Sequence, residues 1–166
     1  AKGLLNDTVC QQIISACKKQ SIPVLVDPKG RDYTKYKGAT ALTPNKKETA
    51  EVCETHPDDA DLISKAIALK ESLALDFLAV TRGEEGITLI DDTTHQIDAT
   101  AQKVFDVSGA GDTVIATLAA GLIHALSPIE SLQLANLAAG IVVGKVGTIP
   151  ITREELIETL ARLQSS

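Results

Sequence analysis

Lys103-Val104-Phe105-Asp106-Val107-Ser108-Gly109-Ala110-Gly111-Asp112-Thr113-Val114 is the stretch whose reading decides the fold. A short apolar run ends there, two glycines turn the backbone, and an apolar helix begins, predicted over residues 110–125. A helix N-terminus leaves N–H groups unpaired and carries the positive end of the macrodipole, so small residues at Gly109, Ala110 and Gly111 would let an anion approach the backbone. Asp112 has two readings: a carboxylate that favours the first helical turn, or a general base beside a bound phosphate group. Two familiar glycine motifs fail on detail. Val114 stands where a dinucleotide fingerprint needs its third glycine, and no Gly-Lys-Ser/Thr completes a P-loop.

Outward from this stretch, composition sets limits. The 166 residues can bury one core, and the opening Ala1-Lys2-Gly3-Leu4-Leu5, without an initiator Met, points to part of a larger protein. Phe77, Phe105, Tyr33 and Tyr36 are the whole aromatic complement, so the core must be aliphatic and no platform for stacking nucleobases is expected. A net charge of −6 argues against a nucleic-acid partner. Cys10, Cys17 and Cys53 form no CxxC pair, which predicts buried reduced thiols and a cytoplasmic setting. Residues 114–126 are too short to span a bilayer, so no membrane partner is expected.

In chain order, Asn6 or Asp7 caps a first helix, and Val24-Leu25-Val26 reads as a buried strand delivering Asp27-Pro28-Lys29-Gly30 at its C-terminal end, where open parallel sheets place ligands. Lys29 either pairs with Asp27 or meets a phosphate as a point charge. A second strand, Ala39 to Thr43, stops at Pro44, and Asn45-Lys46-Lys47-Glu48 opens a helix. Asn-x-x-Glu has the form of a capping box; the alternative is that Asn45 and Glu48 hold waters of a magnesium ion. His56-Pro57-Asp58-Asp59 is a polar turn.

Phe77 to Thr81 is a third strand, returning through Arg82-Gly83-Glu84-Glu85-Gly86 along Ile87 to Ile90 as a hairpin. Gly83 and Gly86 serve that turn first, with a nucleotide contact as the second reading. His95 to Ala99 alternates like a half-exposed antiparallel strand. After the glycine turn, Ser127 and Glu130 box a helix whose run Leu134 to Gly140 allows close packing or a flat ligand, and Thr152 with Glu155 boxes the last helix. Strands alternating with helices, then clustered helices, predict an α/β sandwich with a mainly parallel sheet flanked by helices, the whole of 1–166 forming one part-domain.

Asp27-Pro28-Lys29, Asn45-x-x-Glu48, Thr81-x-Gly83-x-x-Gly86 and Gly109-Ala110-Gly111-Asp112, in that order, resemble the carbohydrate kinases of the ribokinase family. The resemblance implies a ribokinase-like sandwich of which this chain is the C-terminal nucleotide-binding and catalytic part, with the N-terminal strands, the lid and most sugar-recognition residues missing. It implies ATP-dependent phosphoryl transfer to a sugar hydroxyl. Residues 109–112 would form the anion hole, and Asp112 would act as base. Asn45, Lys46, Lys47 and Glu48 would serve the magnesium-nucleotide, with Asn45 and Glu48 on the metal largely through water. Lys29 would neutralise phosphate. Thr81, Gly83 and Gly86 would line the nucleotide side, and Asn136, Ala139 and Gly140 would lie near adenine. Asp106 is a candidate contact for a monovalent cation such as K+. Ser108, preceded by Val107, stands where the family commonly shows Thr and keeps the hydroxyl.

Within the family, Val26 to Gly30, Tyr36 to Thr40, Leu42 to Asn45 and Val142 to Thr148 look most like members that phosphorylate C1 of D-glycero-D-manno-heptose 7-phosphate on the ADP-heptose route to lipopolysaccharide. That likeness implies a phosphosugar substrate, a homodimer in the intact protein and, in the parent chain, a fused adenylyltransferase. The competing readings are another sugar or nucleoside kinase of the family and a catalytically incomplete nucleotide-binding or dimerising fragment.

Overall fold

A computed structural model describes residues 5–58, 60–100, 104–147 and 149–164. Ala1 to Leu4, Asp59, Lys103 and Thr148 lie outside the described residues. In chain order the elements are α1 (Asp7–Lys19), β1 (Leu25–Val26), β2 (Ala41–Leu42), α2 (Lys46–Val52), α3 (Leu62–Ser72), β3 (Phe77–Thr81), β4 (Ile87–Ile90), β5 (Thr94–Ile97), α4 (Ala110–Ile123), α5 (Pro128–Val143) and α6 (Arg153–Gln164). The strands form a five-stranded sheet in the order β1-β2-β3-β4-β5. The first three are parallel, in the register Leu25↔Ala41↔Phe77 and Val26↔Leu42↔Leu78. The mainly parallel α/β architecture expected from the sequence is therefore present. Two compact units divide the chain: one holds the residues up to Arg82 with Thr88–His95, the other Gly83–Ile87 with the residues from Gln96 onward.

In the first unit, Asn6 caps α1 by accepting the Val9 N–H at 3.0 Å, and Asp7 and Lys18 complement the helix dipole. Cys10 and Ile14 on its inner face join Tyr33, Tyr36, Leu42 and Leu78 in the core. β1 and β2 are two residues each, shorter than the sequence predicts, and lie within the stretches bounded by Pro23 and Pro28 and by Pro44. Thr40 Oγ1 substitutes for a ladder partner by accepting the Val24 N–H at 2.9 Å. His56 is a turn residue, its Nδ1 accepting the Asp58 N–H at 3.2 Å.

In the second unit α4 and α5 pack tightly because Gly121 meets Ser131; a Cβ at Gly121 would stand 2.5 Å from Ser131 Oγ. α4 stops at Ile123, two residues before the predicted end, where Ala125 turns left-handed at φ 61°. His124, its C-cap, is exposed.

Three expectations need correction. The core is not purely aliphatic, because Tyr33, Tyr36 and Phe77 are 1%, 6% and 2% exposed, whereas the apolar run Val104, Phe105 and Val107 before the glycine turn lies at the surface, held by Phe105 and Asp106 N–H groups that donate to Val143 O. The strand expected over His95 to Ala99 is present as β5 but is shifted to Thr94–Ile97, and the burial alternates only from Gln96 on, since Thr94, His95 and Gln96 are all exposed. An edge strand can leave both faces in water. Of the three free cysteines only Cys10 is buried; Cys17 and Cys53 are half-buried. Among the described residues no helix is long and apolar enough to cross a membrane.

Candidate functional site

In the first unit the C-terminal ends of β1, β2 and β3 bring Lys29, Asn45, Glu48 and Thr81 together. Thr81 N–H donates to Pro44 O at 3.0 Å, setting Thr81 beside Asn45. Asn45 caps α2: its Oδ1 accepts the Glu48 N–H at 2.8 Å, while Glu48 Oε2 accepts the Asn45 N–H at 2.9 Å. The capping box is real. It leaves Glu48 Oε1, which accepts from Lys29 Nζ at 2.9 Å. Lys29 also reaches Asp27 at 3.2 Å. The Glu48 hydrogen bond, working against desolvation and helped by Asp27, holds the Lys29 ammonium above its usual range. Lys46 turns away to Asp58 at 3.0 Å, and Lys47 is exposed.

Beneath this cluster lies an aromatic side chain for which the sequence reading, expecting an aliphatic core, gave no place. Tyr33 is 1% exposed, and among the described residues its hydroxyl has no hydrogen-bond partner. Burial first, then the Glu48 carboxylate, drive its pKa far above the usual phenol value.

In the second unit Gly109, at φ 81°, is the N-cap of α4 in the left-handed region open to glycine. Ala110 N–H donates to Val107 O at 3.2 Å, and Thr113 closes on Gly109 O through both its N–H and its hydroxyl. Gly111 and Asp112 supply first-turn N–H groups that have no carbonyl four residues back inside the helix. Asp112 is exposed. Gly111 is helical with no positive φ, and among the described residues a Cβ built on it meets nothing within 4 Å beyond the backbone of its own helix. Neither backbone nor packing calls for glycine there. Asp106 accepts the Ser108 N–H at 2.8 Å, and that contact holds its carboxyl below the ordinary range. Asp106 thus stays ionised and supports the turn.

Gly86 sits at φ 86° where a Cβ would land on the Ile97 carbonyl, so its glycine is structural, whereas Gly83 at φ 60° faces open space. Gln96 ties the same turn through Glu85 O at 2.7 Å. Asn136 is buried with its Nδ2 donating to Asp98 O at 2.7 Å, so its amide positions α5 against the segment after β5. Ala139 and Gly140 are half-buried. A cleft of about 670 Å³ runs past Gly140, between Phe105 and the α6 residues Glu155, Thr159 and Arg162. Sequence reading missed the α6 wall; its one signal is the Glu155-Thr159-Arg162 spacing on one helix face.

Magnesium fits this chain only as a shared ion. Among the described residues no group of three or more His, Cys, Asp and Glu side chains could hold a metal, and magnesium characteristically takes one or two carboxylates, with waters and substrate phosphates completing the shell.

A mainly parallel sheet with strand-end polar groups, together with a glycine turn at a helix N-terminus, is the frame of a sugar kinase, and the chain belongs to the pfkB family of carbohydrate kinases, whose model matches residues 2–155. Among curated relatives it is 60% identical over 168 residues to the bifunctional protein HldE of Methylobacillus flagellatus, covering 100% of this chain and 34% of that one. It is 52% identical over 159 residues to the bifunctional protein HldE of Magnetococcus marinus, covering 94% and 33%. The chain spans about a third of the length of these relatives. Arabidopsis thaliana ribokinase, solved with ribose and ATP, superposes with a TM-score of 0.82 at 27% identity, over 93% of this chain and 53% of that one. Escherichia coli phosphofructokinase-2 in complex with potassium gives 0.83 at 22% identity over 96% and 53%, a likeness of fold.

Proposed function

We propose that the protein containing this chain transfers the γ-phosphoryl group of ATP to the C1 hydroxyl of D-glycero-D-manno-heptose 7-phosphate. The observation that carries the kinase reading is Gly111, a glycine in the first turn of α4 with open space where a side chain would stand. A helix pays for glycine in lost stability, and close approach of an anion to the Gly111 and Asp112 N–H groups accounts for it. Phosphoryl transfer asks for this kind of positioned positive end, because charge spreads over the transferred oxygens.

Asp112 accepts the proton of the attacking hydroxyl as the oxygen–phosphorus bond forms and ADP leaves. Asn45 and Glu48 would hold a magnesium ion, largely through water, and that ion would neutralise charge on the phosphates. Lys29 and Lys47 supply positive charge for a phosphate at the strand ends of the first unit. Thr81 and Gly83 line the nucleotide side, and the cleft past Gly140 receives the base. Asp106 is a second-tier contact for a potassium ion beside the turn.

The heptose 7-phosphate assignment rests on the phrases at Val26 to Gly30, Tyr36 to Thr40 and Val142 onward, together with the likeness to the bifunctional HldE proteins. That likeness also supports a second domain in the parent, with adenylyltransfer as its activity. Coupled ADP release by the full-length parent, with heptose 7-phosphate, ribose, fructose 6-phosphate and adenosine as acceptors, tests the reading. Turnover with heptose 7-phosphate alone is expected. Turnover with a different acceptor removes the heptose assignment, and none with any acceptor removes the kinase.

A further inference from the structure

Glu48 faces two demands in this structure. One carboxylate oxygen, Oε2, is fixed by the Asn45 N–H of the capping box. Cap geometry leaves Oε1 as the oxygen that can serve a ligand, and Oε1 is taken by Lys29 Nζ at 2.9 Å. That ammonium is on an exposed side chain, 67% accessible, whereas Glu48 is 23% accessible. Asp27 stands on the other side of the ammonium at 3.2 Å, so Lys29 has a second carboxylate to rest on when it leaves Glu48. A helix cap holds the Glu48 end of the pair, whereas the Lys29 ammonium is carried on an exposed side chain of four rotatable bonds.

We infer that Lys29 is an intramolecular counter-ion that occupies the ligand-facing oxygen of Glu48 and must be displaced for a divalent cation to engage it. The inference rests on the magnesium role proposed above for Asn45 and Glu48. Lys29 is then a positioning residue with an opposing effect: it keeps the carboxylate aimed in the unloaded protein, and it competes with the metal for it. Displaced onto Asp27, the ammonium stays near the same strand ends as a charge for phosphate.

Binding of Mn2+ alone to the full-length parent, without nucleotide, tests this, with free Mn2+ followed by electron paramagnetic resonance. Lys29→Gln removes the competitor and is expected to tighten Mn2+ binding about two- to fivefold, the factor an exposed ion pair is worth. Lys29→Arg keeps the charge but grips a carboxylate with a planar fork, so it is expected to bind Mn2+ more weakly than the wild type. An unchanged or weakened affinity in Lys29→Gln overturns the inference. So does Lys29→Arg matching the wild type, because a diffuse effect of charge would not distinguish lysine from arginine. Turnover of the wild-type parent decides the kinase reading separately: loss of that reading with the two Mn2+ shifts intact would leave the counter-ion standing.

Discussion

Replacing Gly111 with alanine separates the fold from its ligand. The backbone at this position is helical and among the described residues a Cβ meets nothing within 4 Å beyond the backbone of its own helix, so the folded chain has room for the methyl group. Alanine exceeds glycine in helix preference by up to about 1 kcal/mol, with less at a terminus, and a domain of this size gains about 2–4 °C in Tm per kcal/mol. The relatives are about three times this length and the unfolding entropy grows with size, so a rise of about 1 °C in the melting temperature of the full-length parent is expected. The same methyl projects into the space an anion would need to reach the Gly111 and Asp112 N–H groups at about 2.9 Å. Displacing the transferred group by about 1 Å costs on the order of a hundredfold in rate. Differential scanning calorimetry and coupled ADP release measure the two effects. Raised Tm with unchanged turnover would refute the anion-hole role of Gly111, and lowered Tm would refute the claim that the fold leaves the position open.

Gly121→Ala is expected to do the reverse, since its Cβ would meet Ser131 Oγ at 2.5 Å and Ser131 Cβ at 2.8 Å; a loss of about 1–3 kcal/mol should appear as a lower midpoint in urea. Tyr33→Phe removes a buried hydroxyl without a partner among the described residues, so it should be neutral or stabilising by about 1 kcal/mol in the same assay. Because the folded Tyr33 pKa is raised, its contribution is fully present below the unfolded value near 10 and is lost as pH rises beyond it. Alkaline melting curves should therefore fall less steeply for Tyr33→Phe than for the wild type. Asp112→Asn should abolish most turnover while nucleotide binding, followed by calorimetry, survives; near-normal turnover would rule out the base assignment.

What the sequence made legible was what sits close along the chain. Asn45 with Glu48, Ser127 with Glu130 and Thr152 with Glu155 each stand three residues apart at a helix start, and all three pairs form reciprocal hydrogen bonds. Lys29 with Asp27 was readable for the same reason. Lys29 with Glu48 was not, because the parallel pairing of β1 with β2 makes that contact across nineteen positions. Nor was the exposure of Val104, Phe105 and Val107, since hydropathy reports what a side chain prefers and not whether a neighbour covers it. The α6 wall of the cleft needed helix packing to be seen. The glycine turn illustrates the boundary: Gly109 and Gly111 look alike in the sequence, yet one is required by its φ and the other is not.

The Gly86 turn and α5 both bear on the segment around Asp98. Gly86 abuts the backbone of Ile97, Asp98 and Ala99, and the Asn136 amide holds the Asp98 carbonyl. Substitutions at Gly86 and Asn136 would therefore not combine additively, since either one releases the backbone on which the other depends. Sequence drift on one side of this fastening is constrained by the other. A change at Gly86 that is lethal beside Asn136 becomes tolerable only in a chain whose Asp98 segment has already found a new seat, so the two positions are expected to evolve as a linked pair.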